Sequence, residues 1–353
     1  MSDQPNELDL YDFQLPRELI AQDPPVNRID ARMMVIDRTS GTIQHASVRD
    51  LPEYMRAGDA IVVNDSRVIP ARLVGYRAKT SGRWEGLFLR EENGVAELLS
   101  KTRGYLQTGE RVVLRDSEGR ETQSLVVVSH TPEGNVLFVA DPQVPWLELL
   151  EQSGRIPLPP YIRDGQMTEQ DRQRYQTVYA RNPGSVAAPT AGLHLTEELL
   201  KNIRQAGVAL VSVTLHVGLG TFRPVSVNRL DDHKMHSEYA QITANVVRRL
   251  QSAKSEGGRI LAVGTTSVRT LETSALHGNG SLVEWSGQTN LFIRPGFTFH
   301  TVDRLLTNFH LPRSTLLVLV SAFAGRELML EAYRKAVEER YRFFSYGDCM
   351  LIT

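Results

Sequence analysis

The chain has 353 residues, a formal net charge of -1 and one cysteine. Its length predicts two domains. A single cysteine excludes a disulfide framework and a cysteine-rich metal site, so we expect an intracellular, cytoplasmic protein. A net charge so close to zero excludes a surface that binds nucleic acid over its whole extent. The amino-terminal residues lack the pattern of a signal peptide, and the longest apolar run, residues 314–324, is too short to span a bilayer, so no membrane contact is expected.

Residues 70–142 contain short apolar runs separated by turn sequences such as TSG at 80–82 and ENG at 92–94. Short strands at this spacing are typical of a small antiparallel barrel or sandwich. The next segment, residues 154–183, is crowded with prolines in its first part, which forbids a helix or a central strand there. We expect this segment to be an exposed lid or to be disordered.

From residue 196 onwards the pattern alternates between helices and strands. The predicted elements are a helix over 196–206, a strand over 209–215, a helix over 243–255, strands over 260–263 and 291–294, and a helix over 327–341. The sequence therefore predicts a discontinuous α/β domain of residues 1–69 and 151–353, in which helices flank a mixed sheet. A small antiparallel β-barrel domain, residues 70–150, is expected as an insertion.

The segment 259–272, RILAVGTTSVRTLE, predicts an anion site. Its strand leads into a helix whose first turn is expected to carry Arg269, and the junction holds Gly264, Thr265, Thr266 and Ser267. Free backbone N–H groups and the positive end of the helix dipole favour a carboxylate or phosphate at such a junction. The alternative is an ordinary capped helix, with Glu272 contributing to the cap.

His216 opens a second candidate site. It follows a β-branched run, 208–215, typical of a buried parallel strand, and it precedes Gly218 and Gly220. Glycines at the carboxyl end of such a strand let the backbone pass close to a ligand, and the alternative is a tight turn that needs positive φ. Arg223 stands where a third glycine would be, so the dinucleotide-binding pattern fails.

Three groups of basic residues are candidate RNA contacts, and the alternative for each is an ordinary solvated face. They are Arg67 with Arg72, the cluster Lys101, Arg103, Arg111 and Arg115, and the group Arg248, Arg249 and Lys254. The sequence does not choose among them.

Long segments of the chain resemble one family. They are 188–196 (APTAGLHLT), 216–225 (HVGLGTFRPV), 264–271 (GTTSVRTL), 306–317 (LTNFHLPRSTLL) and 341–352 (YRFFSYGDCMLI), with the amino-terminal LPRELIAQDPPVNRIDARMMVID and GDAIVVNDSRVIPARL. In this order, over essentially the whole chain, they are similar to the S-adenosylmethionine:tRNA ribosyltransferase-isomerases of queuosine biosynthesis. The chain departs from that pattern at Leu195, where an aromatic residue is expected, and at Cys349, where a small residue is expected.

The resemblance implies an enzyme that consumes S-adenosylmethionine as a ribosyl donor and needs no cofactor and no metal. The ribosyl part is transferred to 7-aminomethyl-7-deazaguanine in the tRNA anticodon and rearranges to give epoxyqueuosine, with release of adenine and methionine. The expected partners are therefore S-adenosylmethionine and the anticodon arm of tRNA. A base must remove a proton from the carbon beside the sulfonium, and an acid should protonate the departing adenine.

The expected catalytic residues are His216, His194, His310 and Glu238. His216 is the expected base because it follows a buried strand and precedes the glycine loop, although which histidine is base and which is acid stays open. The expected substrate-binding residues are Asn64, Asp65, Thr190, Gly218, Gly220, Thr221, Phe222, Thr265, Thr266, Ser267, Arg269, Asn308, Tyr346 and Asp348. Arg269 and the hydroxyls beside it are expected to hold the methionyl carboxylate.

Some of these residues could have a structural role instead of a catalytic one. His194 could cap the following helix, and His310 could be a buried histidine bonded to backbone. His233 and His236 have a spacing that could suit a metal, but no third ligand is apparent. The competing functions are a tRNA methyltransferase and a non-catalytic RNA-binding module. Product analysis separates them, since the products would be adenine with methionine, S-adenosylhomocysteine, or neither.

Overall fold

The structure is a computed structural model that describes residues 7–218 and 229–353. The chain forms two compact units, one made of residues up to Arg67 together with Arg174–Thr353 and the other made of Val68–Gln173. Within the described residues, no helix combines the length and the apolar character needed to cross a membrane.

The described residues form seventeen strands and seven helices, labelled in chain order. The strands are β1 (Arg32–Asp37), β2 (Thr42–Ser47), β3 (Ala60–Asn64), β4 (Ser66–Val68), β5 (Arg72–Arg77), β6 (Arg83–Glu92), β7 (Val95–Thr102), β8 (Arg111–Arg115), β9 (Glu121–His130), β10 (Val136–Asp141), β11 (Asn182–Ser185), β12 (Ala209–Leu215), β13 (Glu238–Ile242), β14 (Ile260–Val263), β15 (Trp285–Thr289), β16 (Arg304–Asn308) and β17 (Cys349–Ile352). The helices are α1 (Trp146–Ser153), α2 (Asp171–Arg174), α3 (Glu197–Gln205), α4 (Ala244–Ser255), α5 (Thr265–His277), α6 (Thr315–Ala324) and α7 (Arg326–Glu338).

The first unit is built on a nine-stranded mixed sheet with the order β15-β13-β12-β3-β14-β16-β17-β1-β2. Its central strands β12, β3, β14 and β16 run parallel to one another, and antiparallel pairs lie toward both edges. Every residue of β3 and β14 is buried. Because these runs offer no polar face to solvent, helices must cover both sides of the sheet.

The hydrophobic core accordingly lies on both faces of this sheet. Successive residues of a strand point to opposite faces, so Val62 packs in one cluster whereas Ile61 and Val63 pack in the other. The first cluster includes residues of α4, α5, α6 and α7, and the second includes residues of α3. The sheet therefore holds its strand ends rigidly between two helical layers.

The second unit contains a closed antiparallel barrel with the strand order β10-β7-β6-β5-β8-β9. Trp84 is fully buried and meets Phe138 edge to face, with ring centroids 5.6 Å apart. Gly86 is needed beside this indole, because a Cβ there would lie 2.3 Å from the Trp84 ring. The predicted fold class, a mixed sheet with flanking helices and a small antiparallel barrel, is confirmed.

Residues 151–173, which the sequence assigned to the α/β domain, belong to the second compact unit. The backbones of Arg155 and Arg72 exchange hydrogen bonds of 2.8 and 3.1 Å, and the Arg72 guanidinium donates to Gly165 O at 2.6 Å. These contacts attach the segment to the barrel strands. The proline-rich segment is therefore ordered, although it contains no long helix or strand. The expectation of disorder is wrong for residues 154–173.

Most of the predicted α/β elements are present, and one is wrong. The helices expected over 196–206, 243–255 and 327–341 correspond to α3, α4 and α7. The strand expected over 291–294 does not form in the described structure. Leu291 and its neighbour Phe292 instead pack against the core as irregular chain, and a run of three apolar residues carries too little periodicity to distinguish a strand from irregular chain.

Candidate active site

Four parallel strands of the first unit end at the same edge of the sheet. β3, β12, β14 and β16 are neighbours, and the residues directly after them are Asp65, His216, Gly264 and Phe309. Open α/β sheets bind their ligands outside the carboxyl ends of such strands. This edge is therefore the candidate active site, and the predicted residues of three motifs meet there.

Asn64 joins the ends of β3 and β12 through its side chain. Its Nδ2 donates to Leu215 O at 2.9 Å, while its Oδ1 accepts from Leu215 N–H at 3.0 Å and from Ser66 N–H at 3.1 Å. The buried amide thus extends the hydrogen-bonded ladder beyond the point where the backbone pairing ends. These contacts fix the chain on both sides of the edge, so they favour a positioning role for Asn64.

Asp65 provides a buried carboxylate next to His216. Its Oδ1 accepts from the Thr214 hydroxyl at 2.8 Å and from Asn182 Nδ2 at 3.0 Å. These two hydrogen bonds hold the Asp65 carboxylate in place at the strand end. Asp65 therefore places a negative charge beside the imidazole at the strand end.

His216 has a half-buried side chain whose Nδ1 is buried and has no hydrogen-bond partner within residues 7–218 and 229–353. The ring stacks on Tyr239, with centroids 5.8 Å apart, and it lies against Gly184, where a Cβ would sit 3.1 Å from ring atoms. Burial lowers the pKa of His216, and the Asp65 carboxylate opposes that shift. The imidazole is therefore neutral near pH 7 and able to accept a proton.

Arg269 lies one turn farther along α5 than the first turn in which the sequence placed it. Its guanidinium forms a buried ion pair with Glu238 and donates to backbone carbonyl oxygens of the 289–291 segment. The other carboxylate oxygen of Glu238 accepts from Gly218 N–H at 2.9 Å. The pair therefore anchors the backbone that follows His216, and the charge of Arg269 is neutralised within the protein.

The start of α5 presents backbone N–H groups and one hydroxyl. Val268 N–H bonds to Gly264 O, and the N–H groups of the preceding residues have no partner inside the helix. Ser267 is committed, since its Oγ donates to Val263 O at 2.7 Å. The Thr266 hydroxyl is buried and has no partner in the described part of the chain. An anion at this helix start would therefore find N–H donors together with the Thr266 hydroxyl.

Gly192, in the 3₁₀ turn Thr190–His194, lies against Thr177 and Tyr179. A Cβ at Gly192 would sit 1.9 Å from the Tyr179 hydroxyl oxygen and 2.9 Å from the Thr177 methyl carbon. The hydroxyls of Thr177 and Tyr179 are buried, and the described residues offer neither a hydrogen-bond partner. Burial raises the pKa of Tyr179, with Arg28 opposing the shift. The Tyr179 hydroxyl therefore stays protonated and can donate a hydrogen bond.

Asn308 connects the Thr190–His194 turn to β16. Its Oδ1 accepts from the Thr190 hydroxyl at 2.9 Å, and its Nδ2 donates to Phe344 O at 3.2 Å and contacts His194 Nε2 at 3.1 Å. Because the Phe344 carbonyl can only accept, the amide orientation is set, and His194 Nε2 must accept as well. Burial lowers the pKa of His194 to about 4. His194 is therefore neutral and carries its proton on Nδ1.

A small pocket adjoins His194. Its walls include Arg28, Arg174 and Tyr346. The Tyr346 ring is buried and meets Tyr175 edge to face, with centroids 5.8 Å apart. Two arginines and an aromatic ring thus stand beside the neutral imidazole, and the arginines donate to backbone carbonyl oxygens.

His310 and Asp348 are engaged in interactions of the protein itself. His310 is buried, its Nε2 contacts the Thr307 hydroxyl at 3.2 Å, and burial lowers its pKa to about 3. The two carboxylate oxygens of Asp348 accept from Arg32 N–H at 2.9 Å and from Arg342 N–H at 2.8 Å. These contacts favour structural roles for both side chains.

The remaining predicted residues lie outside the described part of the chain or have no shown role in the site. Gly220, Thr221 and Phe222 lie outside the described residues. The ring of His233 meets Phe292 edge to face, with centroids 5.3 Å apart. Within residues 7–218 and 229–353, no group of three or more histidine, cysteine, aspartate or glutamate residues is arranged to hold a metal ion.

Thr177, Tyr179 and Arg28 were not among the predicted site residues. Tyr179 lies in the proline-rich segment 154–183 and Arg28 lies in an amino-terminal motif, and neither has a distinguishing local feature. Their place beside the 3₁₀ turn is set by tertiary packing, which no local spacing reveals.

A mixed α/β sheet with a neutral histidine and hydroxyl groups at its carboxyl edge, on one chain with an antiparallel barrel, defines a two-unit α/β enzyme. The chain matches the model of the queuosine biosynthesis protein family over residues 8–352. It therefore belongs to that family, as the motifs predicted.

Two relatives match nearly the whole chain. A protein of Desulforamulus reducens, named S-adenosylmethionine:tRNA ribosyltransferase-isomerase, is 48% identical over 347 residues, which cover 98% of this chain and 99% of the relative. The crystal structure of S-adenosylmethionine tRNA ribosyltransferase from Thermotoga maritima is 37% identical, covers 98% of this chain and 100% of its own, and has a TM-score of 0.55. The expectation of an enzyme of this family is confirmed.

Gly192→Ala is expected to lower the free energy of unfolding by about 1 to 3 kcal/mol, because the new Cβ forces the Tyr179 hydroxyl to move. In a Tyr179→Phe background the obstructing oxygen is absent, so the loss should be smaller. Chemical denaturation of the parent, both single variants and the double variant measures this coupling. Equal losses in both backgrounds would contradict the contact.

Arg269→Ala is expected to cost about 3 to 5 kcal/mol of stability, because it leaves the buried Glu238 carboxylate without its cation. The matched control is Lys335→Ala, which breaks a half-exposed pair with Glu331 and should cost less than about 1 kcal/mol. Urea denaturation compares the two variants. A loss for Arg269→Ala as small as the control would show that the pair is not buried in solution.

The stability of the folded chain is expected to fall as the pH drops below about 6.5, in part because of His310. Its pKa is about 3 in the fold and 6.5 in the unfolded reference, so between those values only the unfolded chain binds the proton. Each such group lowers the free energy of unfolding by up to about 1.4 kcal/mol per pH unit. Denaturation between pH 7 and pH 4.5 should therefore show a shallower decline for His310→Gln than for the parent, and parallel profiles would refute the assignment.

Proposed function

We propose that this protein transfers the ribosyl part of S-adenosylmethionine to 7-aminomethyl-7-deazaguanine in a tRNA anticodon and isomerises it, giving epoxyqueuosine and releasing adenine and methionine. Membership of the queuosine biosynthesis family and the name of the Desulforamulus reducens relative support this reaction class. The observation that carries the proposal is the neutral imidazole of His216, whose buried Nδ1 has no partner among the described residues at the carboxyl edge of the sheet.

His216 is the proposed base that takes the proton from the carbon beside the sulfonium. The positive sulfur acidifies this carbon, and the base must be unprotonated at the working pH and within hydrogen-bond reach. The lowered pKa of His216 meets the first condition, and its packing between Tyr239 and Gly184 holds the ring in one orientation. The adjacent Asp65 carboxylate stabilises the imidazolium that forms when the proton arrives.

The start of α5 is the proposed site for the methionyl carboxylate. The N–H groups of Thr265, Thr266 and Ser267, the Thr266 hydroxyl and the helix dipole all favour an anion there. Arg269 supports this site as a positioning residue, because its guanidinium is occupied by Glu238. Glu238 in turn holds the Gly218 backbone and is assigned a positioning role.

The Thr190–His194 turn is the proposed place for the departing adenine. His194 carries its proton on Nδ1, and the Tyr179 hydroxyl is a second neutral donor beside the same turn. Either group can give a hydrogen bond to a purine nitrogen as the glycosidic bond breaks. Asn308 and Thr190 orient His194 through their contact with each other, and Tyr346 offers an aromatic surface for the base.

The proposed reaction uses S-adenosylmethionine and the anticodon arm of tRNA as substrates and needs no cofactor or metal. The sulfonium is itself the activated leaving group, so side chains need only move protons and hold the two substrates. An activity on tRNA is expected in the cytoplasm.

Incubation with S-adenosylmethionine and a tRNA that carries the aminomethyl deazaguanine should release adenine and methionine in equal amounts. Chromatography of the small products tests this outcome. Release of S-adenosylhomocysteine instead would contradict ribosyl transfer and show methyl transfer. Release of neither product by protein that binds the tRNA would favour a binding module.

His216→Asn is expected to lower turnover by about 10²-fold or more while S-adenosylmethionine affinity stays close to that of the parent, because the amide cannot take the proton. His45→Asn is the matched control, since His45 lies on the edge strand β2 and bonds to Tyr341. Single-turnover kinetics and isothermal titration measure the two quantities. Parent-like turnover in His216→Asn would remove this histidine from the mechanism and move the base assignment to His194.

A further inference from the structure

The second unit carries an exposed aromatic pair that the proposed chemistry does not use. Tyr105 follows β7 and is 63% exposed. Its ring stacks on His130, at the end of β9, with centroids 4.4 Å apart and an interplanar angle of 20°. The Tyr105 hydroxyl also contacts His130 Nδ1 at 2.9 Å. An exposed ring is thus held flat against a second ring.

The backbone of the loop that carries Tyr105 is held by hydrogen bonds from Arg77. The Arg77 guanidinium donates to Arg103 O at 2.8 Å and to Tyr105 O at 3.0 Å. The same guanidinium pairs with Glu110 through contacts of 2.5 and 2.8 Å. The loop backbone and the Tyr105 ring are both already held in place. A ligand that stacks on Tyr105 would therefore lose little binding free energy to the ordering of the loop.

Two exposed cations, Lys101 and Arg103, shortly precede Tyr105 in the chain. Many surface arginines of this unit are paired, such as Arg83 with Glu85 and Arg90 with Glu97. Neither Lys101 nor Arg103 has an ion-pair partner among the described residues. Their charges are therefore available to a ligand that carries negative charge.

A flat exposed ring beside available cations matches the chemistry of unpaired RNA. Bases stack on aromatic side chains, while lysine and arginine contact the phosphates of the same strand. Bases in a duplex already stack on one another, so such a surface discriminates in favour of loops and single strands. A protein partner would instead call for a larger apolar patch with charged residues depleted at its centre.

We propose that the Tyr105–His130 pair is a stacking platform for an unpaired base of the RNA substrate, with Lys101 and Arg103 contacting the phosphates beside that base. This inference rests on the proposed function only in that the substrate is a tRNA whose anticodon loop is unpaired. It assigns RNA-loop recognition to the barrel unit and leaves the proton-transfer groups in the first unit.

The test uses the full-length protein and two fluorescein-labelled synthetic RNAs, an anticodon stem–loop and a blunt duplex of equal length. Fluorescence anisotropy should show Tyr105→Ala weakening stem–loop binding by about 10-fold or more, the usual worth of one stacked base. Tyr105→Phe keeps the ring and should bind within about 3-fold of the parent. Leu147→Ala, at an exposed position on α1, is the matched control and should bind as the parent does.

Charge reversal at Lys101 and Arg103 distinguishes the contribution of phosphate contacts to RNA binding from the contribution of base stacking on Tyr105. Lys101→Glu combined with Arg103→Glu should weaken binding of both RNAs. The salt dependence of binding should also decrease, by about one unit of slope for each phosphate that the variant no longer neutralises. Tyr105→Ala should leave the salt slope and the duplex affinity unchanged, because stacking releases no counterions.

Stem–loop affinity in Tyr105→Ala equal to that of the parent would overturn the platform, and so would an equal loss for stem–loop and duplex. Either result would leave the proposed function standing if the parent still binds the stem–loop and releases adenine. Failure of the parent to bind any tRNA would overturn the proposed function itself. Circular dichroism and thermal unfolding of each variant confirm that a loss of binding is not a loss of fold.

Discussion

The buried amide of Asn64 is the interaction on which the candidate site depends. It makes three hydrogen bonds, and it joins β3 to β12 where their backbone ladder ends. A buried amide without these partners would cost on the order of 1 to 3 kcal/mol, so both strand ends are held in one relative position. Asp65 and His216 directly follow the two strands, and the Asn64 amide holds them in place together with the bond from Asp65 N–H to Val213 O, 2.9 Å long.

Buried ionised groups of the first unit mostly have their hydrogen bonds satisfied by the protein. Glu272 accepts from the N–H groups of His300, Thr301 and Val302, and so it anchors a loop and does not cap α5. Asp59 is paired with Arg259 in the same way. The Thr266 hydroxyl and His216 Nδ1, both at the carboxyl edge, lack such partners among the described residues. This contrast distinguishes polar groups that hold the fold from those that suit a ligand.

Burial also sets the protonation states at this edge. Desolvation lowers the pKa of His194 and His216 and raises that of Tyr179, so each group is held in its neutral form. A cationic sulfonium substrate would be repelled by imidazolium groups, whereas neutral rings beside the Asp65 carboxylate accept it. The same low-dielectric surroundings strengthen the attraction between the Asp65 carboxylate and any cation that binds beside it.

Local patterns in the amino-acid sequence were enough to predict the class of fold and the main elements. Apolar runs such as 209–215 and 260–263 favour buried strands, and the turn sequences between residues 70 and 142 favour short antiparallel strands, because these signals are local. The motifs likewise predicted His216, Asp65 and Thr266 as residues of the active site. The strand expected over 291–294 failed because four residues carry too little periodicity.

Tertiary structure decided which polar groups are satisfied. Arg269 was expected to face a ligand, yet it pairs with Glu238, and Gly192 is required by Tyr179. The segment 154–183 was expected to be an exposed lid or disordered, yet its residues 154–173 are ordered by hydrogen bonds to the barrel strands. Each outcome depends on residues far apart in the chain, whose encounter is set by packing. Local sequence patterns predict the element on which a polar side chain lies. Only the folded chain determines whether that side chain has a hydrogen-bond or ion-pair partner.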